Sequence, residues 1–157
     1  MTFKKAVAQT PNLESAWQPG LQALRTKDRP HIKAEDTTLL RGSADLDTAL
    51  QPVEPQANRW DFAIGHQHTN QRGEFIYWVE THTGSDNQVK VVLKKLEWLK
   101  QWLGGGGQQL AKFDGEFMWV SSGHTLFTKG SAQVKTLAQK GIIYAGAVLR
   151  IPTERVA

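Results

Sequence analysis

The clearest pattern of apolar and polar positions begins at residue 86. Val89, Val92, Leu93, Leu96, Leu99 and Leu103 recur at i, i+3, i+4, i+7 spacing, while Lys90, Lys94, Glu97 and Lys100 fall largely away from that stripe. The pattern predicts an amphipathic helix over 86–103, with Asp86 or Asn87 as its cap. The helix ends at Gly104–Gly107, four glycines whose backbone no side chain restrains, which reads as a hinge or mobile loop. Upstream, Phe75-Ile76-Tyr77-Trp78-Val79 is apolar at every position. That is the signature of a strand covered on both faces, and Glu74–Thr81 is predicted as a central strand. Trp60–Ile64 is a second strand, joined to it as a hairpin through the polar run His66–Gly73. Glu116–Ser122 is a third, turned by Gly123 into Thr125-Leu126-Phe127. Ser131 caps a helix running to Lys140, Gly141 stops it, and Ile142–Ile151 is a last strand.

The N-terminal half is less regular. Leu13, Trp17, Leu21 and Leu24 have helical spacing and predict a helix over 12–25 with Asn12 as N-cap, although Pro19-Gly20 interrupts it. Residues 26–36 read as a charged loop, 37–40 as a short strand, 42–47 as a polar turn, 48–50 as a helical turn and 51–58 as an irregular connection. Helices alternating with strands define an α/β class: a mixed central β-sheet flanked by helices, in one domain over residues 1–157.

Composition narrows the functions. The chain has no cysteine, which removes disulfides, thiolate metal sites and cysteine nucleophiles together. No apolar run approaches membrane-spanning length, and the first residues do not make a convincing signal peptide, so a cytoplasmic protein without a membrane partner is the simplest expectation. The net charge of +4 is unevenly placed. Residues 36–85 hold seven carboxylates against three arginines, and basic residues are in excess on both sides. A site that holds a divalent cation before a phosphate backbone needs such a mixture; a mixed surface produces it by chance too.

Glu80 is the foremost chemical candidate. Ile76, Trp78, Glu80 and His82 share one face of the strand, so a carboxylate and an imidazole follow two large apolar residues. A buried carboxylate costs several kcal/mol, of order, unless paired or bound to metal; solvation at a strand end is the alternative. Asp61 interrupts the Trp60–Ile64 strand, and pairing of the two strands would bring it towards Glu80, where two carboxylates can share Mg²⁺ or Mn²⁺. Its alternative is an ion pair with Arg59 or Arg41. Asp45 and Asp47 are additional carboxylates, with capping of the 48–50 turn as the competing role. His66 and His68 share a strand face and could join Glu80 and His82 around zinc or manganese. Lys90, Lys94 and Lys95 are candidate phosphate contacts, against a merely solvated helix face. There is no phosphate-binding glycine loop and no nucleophile elbow.

The order of elements, with Asp61 on one strand and Glu80 on the next, resembles the restriction-endonuclease-like, or PD-(D/E)xK, nuclease superfamily over roughly residues 12–122. Asp61 matches the first acid and Glu80 the second. His82 stands where the family has lysine, and Trp60 stands where it has proline. Glu14 matches the additional helical acid of some members. The resemblance implies a restriction-endonuclease-like fold and metal-dependent phosphodiester hydrolysis, of DNA rather than RNA. It implies Mg²⁺ or Mn²⁺ on Asp61 and Glu80, and a homodimer as in many members. His82 would serve as base, or Lys94 or Lys95 would replace the missing lysine from the next helix. The alternative on the same fold is an inactive module that binds nucleic acid or protein.

Overall fold

The computed structural model describes residues 1–123 and 126–156. Its centre is a six-stranded mixed sheet. β1 is Trp17–Gln18, β2 Ile32–Ala34, β3 Leu40–Asp45, β4 Phe62–His66, β5 Phe75–His82, β6 Asp114–Ser121, β7 Ile142–Gly146 and β8 Leu149–Ile151. The sheet order is β1-β3-β4-β5-β6-β7, and β2 and β8 form a separate parallel pair. The pairs β1–β3, β3–β4 and β4–β5 are antiparallel, whereas β5–β6 and β6–β7 are parallel. The helices are α1 (Phe3–Ala8), α2 (Leu46–Leu50), α3 (Asp86–Leu103) and α4 (Ala132–Gln139). A parallel neighbour needs a crossover, and α3 supplies it between β5 and β6.

β5 is central, as its unbroken apolar run predicts. Phe75, Tyr77 and Val79 enter one core with Leu24, Ile32, Leu149 and Ile151, beneath the β2–β8 pair. Ile76 and Trp78 enter the other with Val92, Leu96, Leu99 and Trp102 of α3 and with residues of α1, α2 and α4. Each face of the strand therefore has its own cover, and six consecutive residues, Phe75–Glu80, are buried.

Several sequence expectations are corrected. Residues 12–25 are turns around β1, not a helix. Asn12 is not an N-cap but sits at φ 72°, a left-handed turn position that Asn tolerates. Leu13 and Leu24 pack into different cores, so their helical spacing served no single face. The first helix is α1, where the Thr2 side chain accepts from the Lys5 amide. The polar turn expected at 42–47 is instead the body of β3 and the start of α2. Ser43 and Ala44 are buried there, and a Cβ at Gly42 would collide with the Trp17 indole. α3 has the predicted ends, but the residue at its cap position is Ser85, and Asp86 and Asn87 lie inside its first turn. The last strand divides into β7 and β8 at Gly146, whose φ is 78°. The turn expected from Gly123 into Thr125 lies partly outside the described residues.

The four glycines after α3 form hydrogen-bonded turns rather than a hinge. Gly104 N–H donates to the Gln101 and Lys100 carbonyls, and Gly107 N–H to that of Trp102. A Cβ at Gly107 would stand 2.6 Å from the Trp102 ring. Gly107→Ala is therefore expected to lower stability by about 1–3 kcal/mol. Gly104→Ala, where the nearest atom is a carbonyl oxygen at 3.4 Å, is expected to change it little. Chemical denaturation of the two variants checks this, and a mobile loop would leave both unchanged.

Candidate active site

The antiparallel register sets Phe62 opposite Val79, which places Asp61, just before β4, beside Glu80 near the end of β5. The Asp61 amide donates to Glu80 Oε1 at 3.1 Å. Asp61 Oδ2 accepts from the Thr81 amide at 3.0 Å and from its hydroxyl at 3.1 Å. The Asp61 carbonyl accepts from the Leu46 amide at 2.9 Å, so the start of α2 is fastened to the same residue. These bonds fix one oxygen of each carboxylate and leave Asp61 Oδ1 and Glu80 Oε2 for other partners.

Both of those oxygens face a lysine. Lys95 Nζ lies 2.6 Å from Glu80 Oε2 and 3.9 Å from Asp61 Oδ1. His82 Nε2 is 3.2 Å from the same Glu80 oxygen. On the open side Arg25 reaches Asp61 Oδ1 at 3.9 Å and Asp47 Oδ2 at 3.2 Å. Asp47 is further held by Arg59 at 3.0 Å. The Glu80 side chain is fully buried, and that of Lys95 is 18% exposed. Burial first, and the Asp61 charge second, push Glu80 well above the ordinary carboxylate range. Burial works against the Lys95 ammonium, but Glu80 and Asp61 together hold its pKa above the usual value. His82 is lowered by burial and by Lys95, which favours a neutral imidazole.

The donor set suits a hard divalent cation: two carboxylate oxygens free of backbone donors, with an ammonium already standing between them. As the side chains stand, no group of three or more His, Asp or Glu residues among those described is arranged to hold a metal ion. A metal would therefore share the two acids with water or substrate oxygen, and the long Lys95 side chain would have to move from its position.

The structure thus brings together Asp61, Glu80 and His82, with Asp47 one ion pair away. Lys95 is the lysine that joins them. Lys94, the other lysine offered by the sequence for that role and its candidate as the catalytic one, is exposed on α3, where it lines a separate cavity with Lys90, Leu93, Leu96, Glu97, Lys100 and Lys140. One residue is a turn of roughly 100° on a helix, enough to exchange sheet for solvent. Glu14 lies on an exposed turn rather than a helix and makes no contact with the acids. Asp45 caps α2, with Oδ1 accepting from the Thr48 amide at 2.9 Å. Neither Arg59 nor Arg41 pairs with Asp61; Arg59 holds Asp47, and Arg41 holds Glu74 at 3.5 Å. Arg25, read as the last residue of the expected 12–25 helix, is the contact that the sequence hid.

His66 and His68 do not join Glu80 and His82. His66 pairs with Phe75 at the opposite end of β4 and faces the other core. His68 Nε2 instead meets the Tyr77 hydroxyl at 2.7 Å. Neither ring nitrogen of His66 has a hydrogen-bond partner, and burial first, then His68 and Arg41, lower its pKa to about 4. The unfolded chain, with histidine near 6.5, takes up that proton first as pH falls. Stability is therefore fully present above pH 6.5 and is lost between 6.5 and about 4, by at most about 3 kcal/mol. His66→Leu is expected to flatten that part of the pH profile, as denaturation at a series of pH values would read.

Comparison of the chain with family models, with curated proteins and with solved structures gives no significant match.

Proposed function

We propose that the protein is a metal-dependent nuclease on a restriction-endonuclease-like fold, hydrolysing phosphodiester bonds in DNA in preference to RNA. The observation that carries this reading is the convergence of Asp61, Glu80 and Lys95 at one end of adjacent strands. The order of β4 with Asp61 just before it, β5 with Glu80, crossover helix α3 and parallel β6 supports it, because that is the order of elements on which the resemblance rests. Lys95, on α3, stands in for the strand lysine that His82 replaces. Asp61 and Glu80 would hold Mg²⁺ or Mn²⁺, which when bound lowers the pKa of its water and offsets charge on the phosphate. Lys95 orients the attacking water and offsets negative charge at the scissile group. His82, neutral beside the ammonium, can accept a proton near neutral pH. Arg25, on the open side, contacts the phosphate. Lys90 and Lys94, exposed on α3, extend the basic surface to the rest of the backbone.

One observation favours a second reading. Lys95 and Arg25 already neutralise the acids, and a cluster so closed would serve a non-catalytic nucleic-acid-binding module. Supercoiled DNA, single-stranded DNA and RNA incubated with Mg²⁺, Mn²⁺ or EDTA separate the two. Metal-dependent cleavage that Glu80→Ala abolishes is the expected result. Salt-sensitive binding without cleavage would replace hydrolysis by the binding module, and loss of both would remove nucleic acid as the partner.

A further inference from the structure

Residues of the 12–23 segment and of the α2 end line a cavity of about 500 Å³, within the size range of small-ligand sites. Its lining divides by chemistry. Ala16, Ala23 and Ala49 are half-buried and contribute only methyl groups, which keeps the space open. Around them Asn12, Ser15, Gln18 and Gln22 are exposed, and no side-chain hydrogen bond within the protein occupies them. Asn12 holds its left-handed φ of 72° at this rim, so the turn rather than a helix sets where its amide stands. Glu14 is a free carboxylate in the same lining. The carboxyl of Asp45 is occupied by Thr48, at 2.9 Å to its amide and 2.7 Å to its hydroxyl.

A planar heterocycle matches this division. Its faces are apolar and suit alanine methyls, and its edge carries the donors and acceptors that Asn and Gln amides pair with. Phosphate does not match, because Glu14 and Asp45 repel it, whereas the neighbouring Arg25 guanidinium attracts it. Glu14 can only accept, which selects a base with an exocyclic amino group. Ala23 precedes Arg25 by two residues, and Asp45 precedes Asp47 by two, so the pair that leads to Asp61 follows the lining closely along the chain without itself lining the cavity.

We infer that this cavity seats one amino-bearing nucleobase of the substrate strand, next to the phosphate held at Arg25. The inference rests on the nuclease reading for its biological meaning, and its binding step is independent of cleavage.

Two measurements test it. Titration with 2′-deoxyadenosine, 2′-deoxycytidine, 2′-deoxyguanosine and thymidine in EDTA is followed by the side-chain amide resonances of Asn12, Gln18 and Gln22. Saturable shifts are expected for at least one amino-bearing nucleoside, with thymidine weakest. Ala49→Leu, which fills the space from a half-buried helical position, is expected to remove them while the thermal midpoint is kept. No saturation, equal response to thymidine, or shifts that survive Ala49→Leu would overturn the inference. Sequencing of cleavage ends from random DNA, with Mg²⁺ or Mn²⁺, is the second measurement. A base preference at one position beside the cut is expected, reduced at least about fivefold by Gln22→Ala. Cleavage with no preference, or with one that Gln22→Ala leaves intact, overturns the inference and leaves the nuclease reading standing. Nucleoside binding without cleavage does the reverse: it keeps the pocket and removes hydrolysis.

Discussion

Lys95→Met is expected to lower stability by about 3–5 kcal/mol at neutral pH, the usual cost of breaking a buried ion pair by removing one partner. Glu80 is fully buried and accepts from Lys95 at 2.6 Å, so methionine leaves its carboxylate beside Asp61 with no ammonium to offset either charge. The pH dependence follows. Burial and Asp61 already raise Glu80 above the ordinary glutamate value of 4.5, and losing Lys95 raises it further. The folded variant then keeps a proton that the unfolded chain releases, so its stability falls as pH rises above about 4.5. Wild type shares that fall, because its own Glu80 is already raised, so the deficit is small near that pH and widens as pH passes the wild-type Glu80 value. Glu80→Gln in the same chain should restore most of the loss, because the amide oxygen can still accept from Asp61 N–H and no charge is left buried. Urea denaturation of the three proteins between pH 4.5 and 8 reads all of this. A Lys95→Met curve parallel to wild type at every pH would mean that Glu80 is not ionised against Lys95.

That pair also marks where sequence reasoning succeeds and stops. The α3 stripe and the apolar run of β5 were legible because each has one dominant period and a long element to display it. The approach of Asp61 to Glu80 followed from hairpin pairing, since two antiparallel neighbours with a polar connection have few registers available. The choice of lysine did not follow, yet a signal existed. Lys95 lies three residues after Val92 and four before Leu99, both buried, so it stands inside the apolar stripe, while Lys94 stands outside it. A lysine in that position needs an anion, and a glutamate on a buried strand needs a cation. β3 was hidden for a different reason: its Gly42 lies against the Trp17 indole and its Ser43 hydroxyl accepts from the Ala23 amide, and small polar residues imitate a turn. Arg25 was hidden because, besides the local Asp28, its partners are Asp47 on α2 and Asp61 just before β4, and no local pattern encodes those two contacts.

Under the hydrolytic reading, Glu80→Gln and Lys95→Ala should each reduce cleavage at least about 10²-fold, while Lys94→Ala should change the rate less than about twofold. The contrast is the informative part. Glutamine keeps the size of Glu80 and the bond from Asp61 but leaves Lys95 without its buried carboxylate, so Glu80→Gln too is read at a temperature where it is native. Lys94 and Lys95 are adjacent, equally basic and on the same helix, but only Lys95 reaches the acids. Lys94 instead faces solvent, so its loss should weaken DNA binding modestly and reduce the dependence of binding on salt. Folding must be secured for Lys95→Ala, given the stability cost above, by assaying at a temperature where denaturation curves place it in the native state. Cleavage equally impaired by both lysine variants would assign their effect to backbone attraction and remove Lys95 from the reacting centre. Cleavage lost only with Lys95→Ala and Glu80→Gln would put the chemistry at the end of β5, with the helix supplying the cation that the strand lacks.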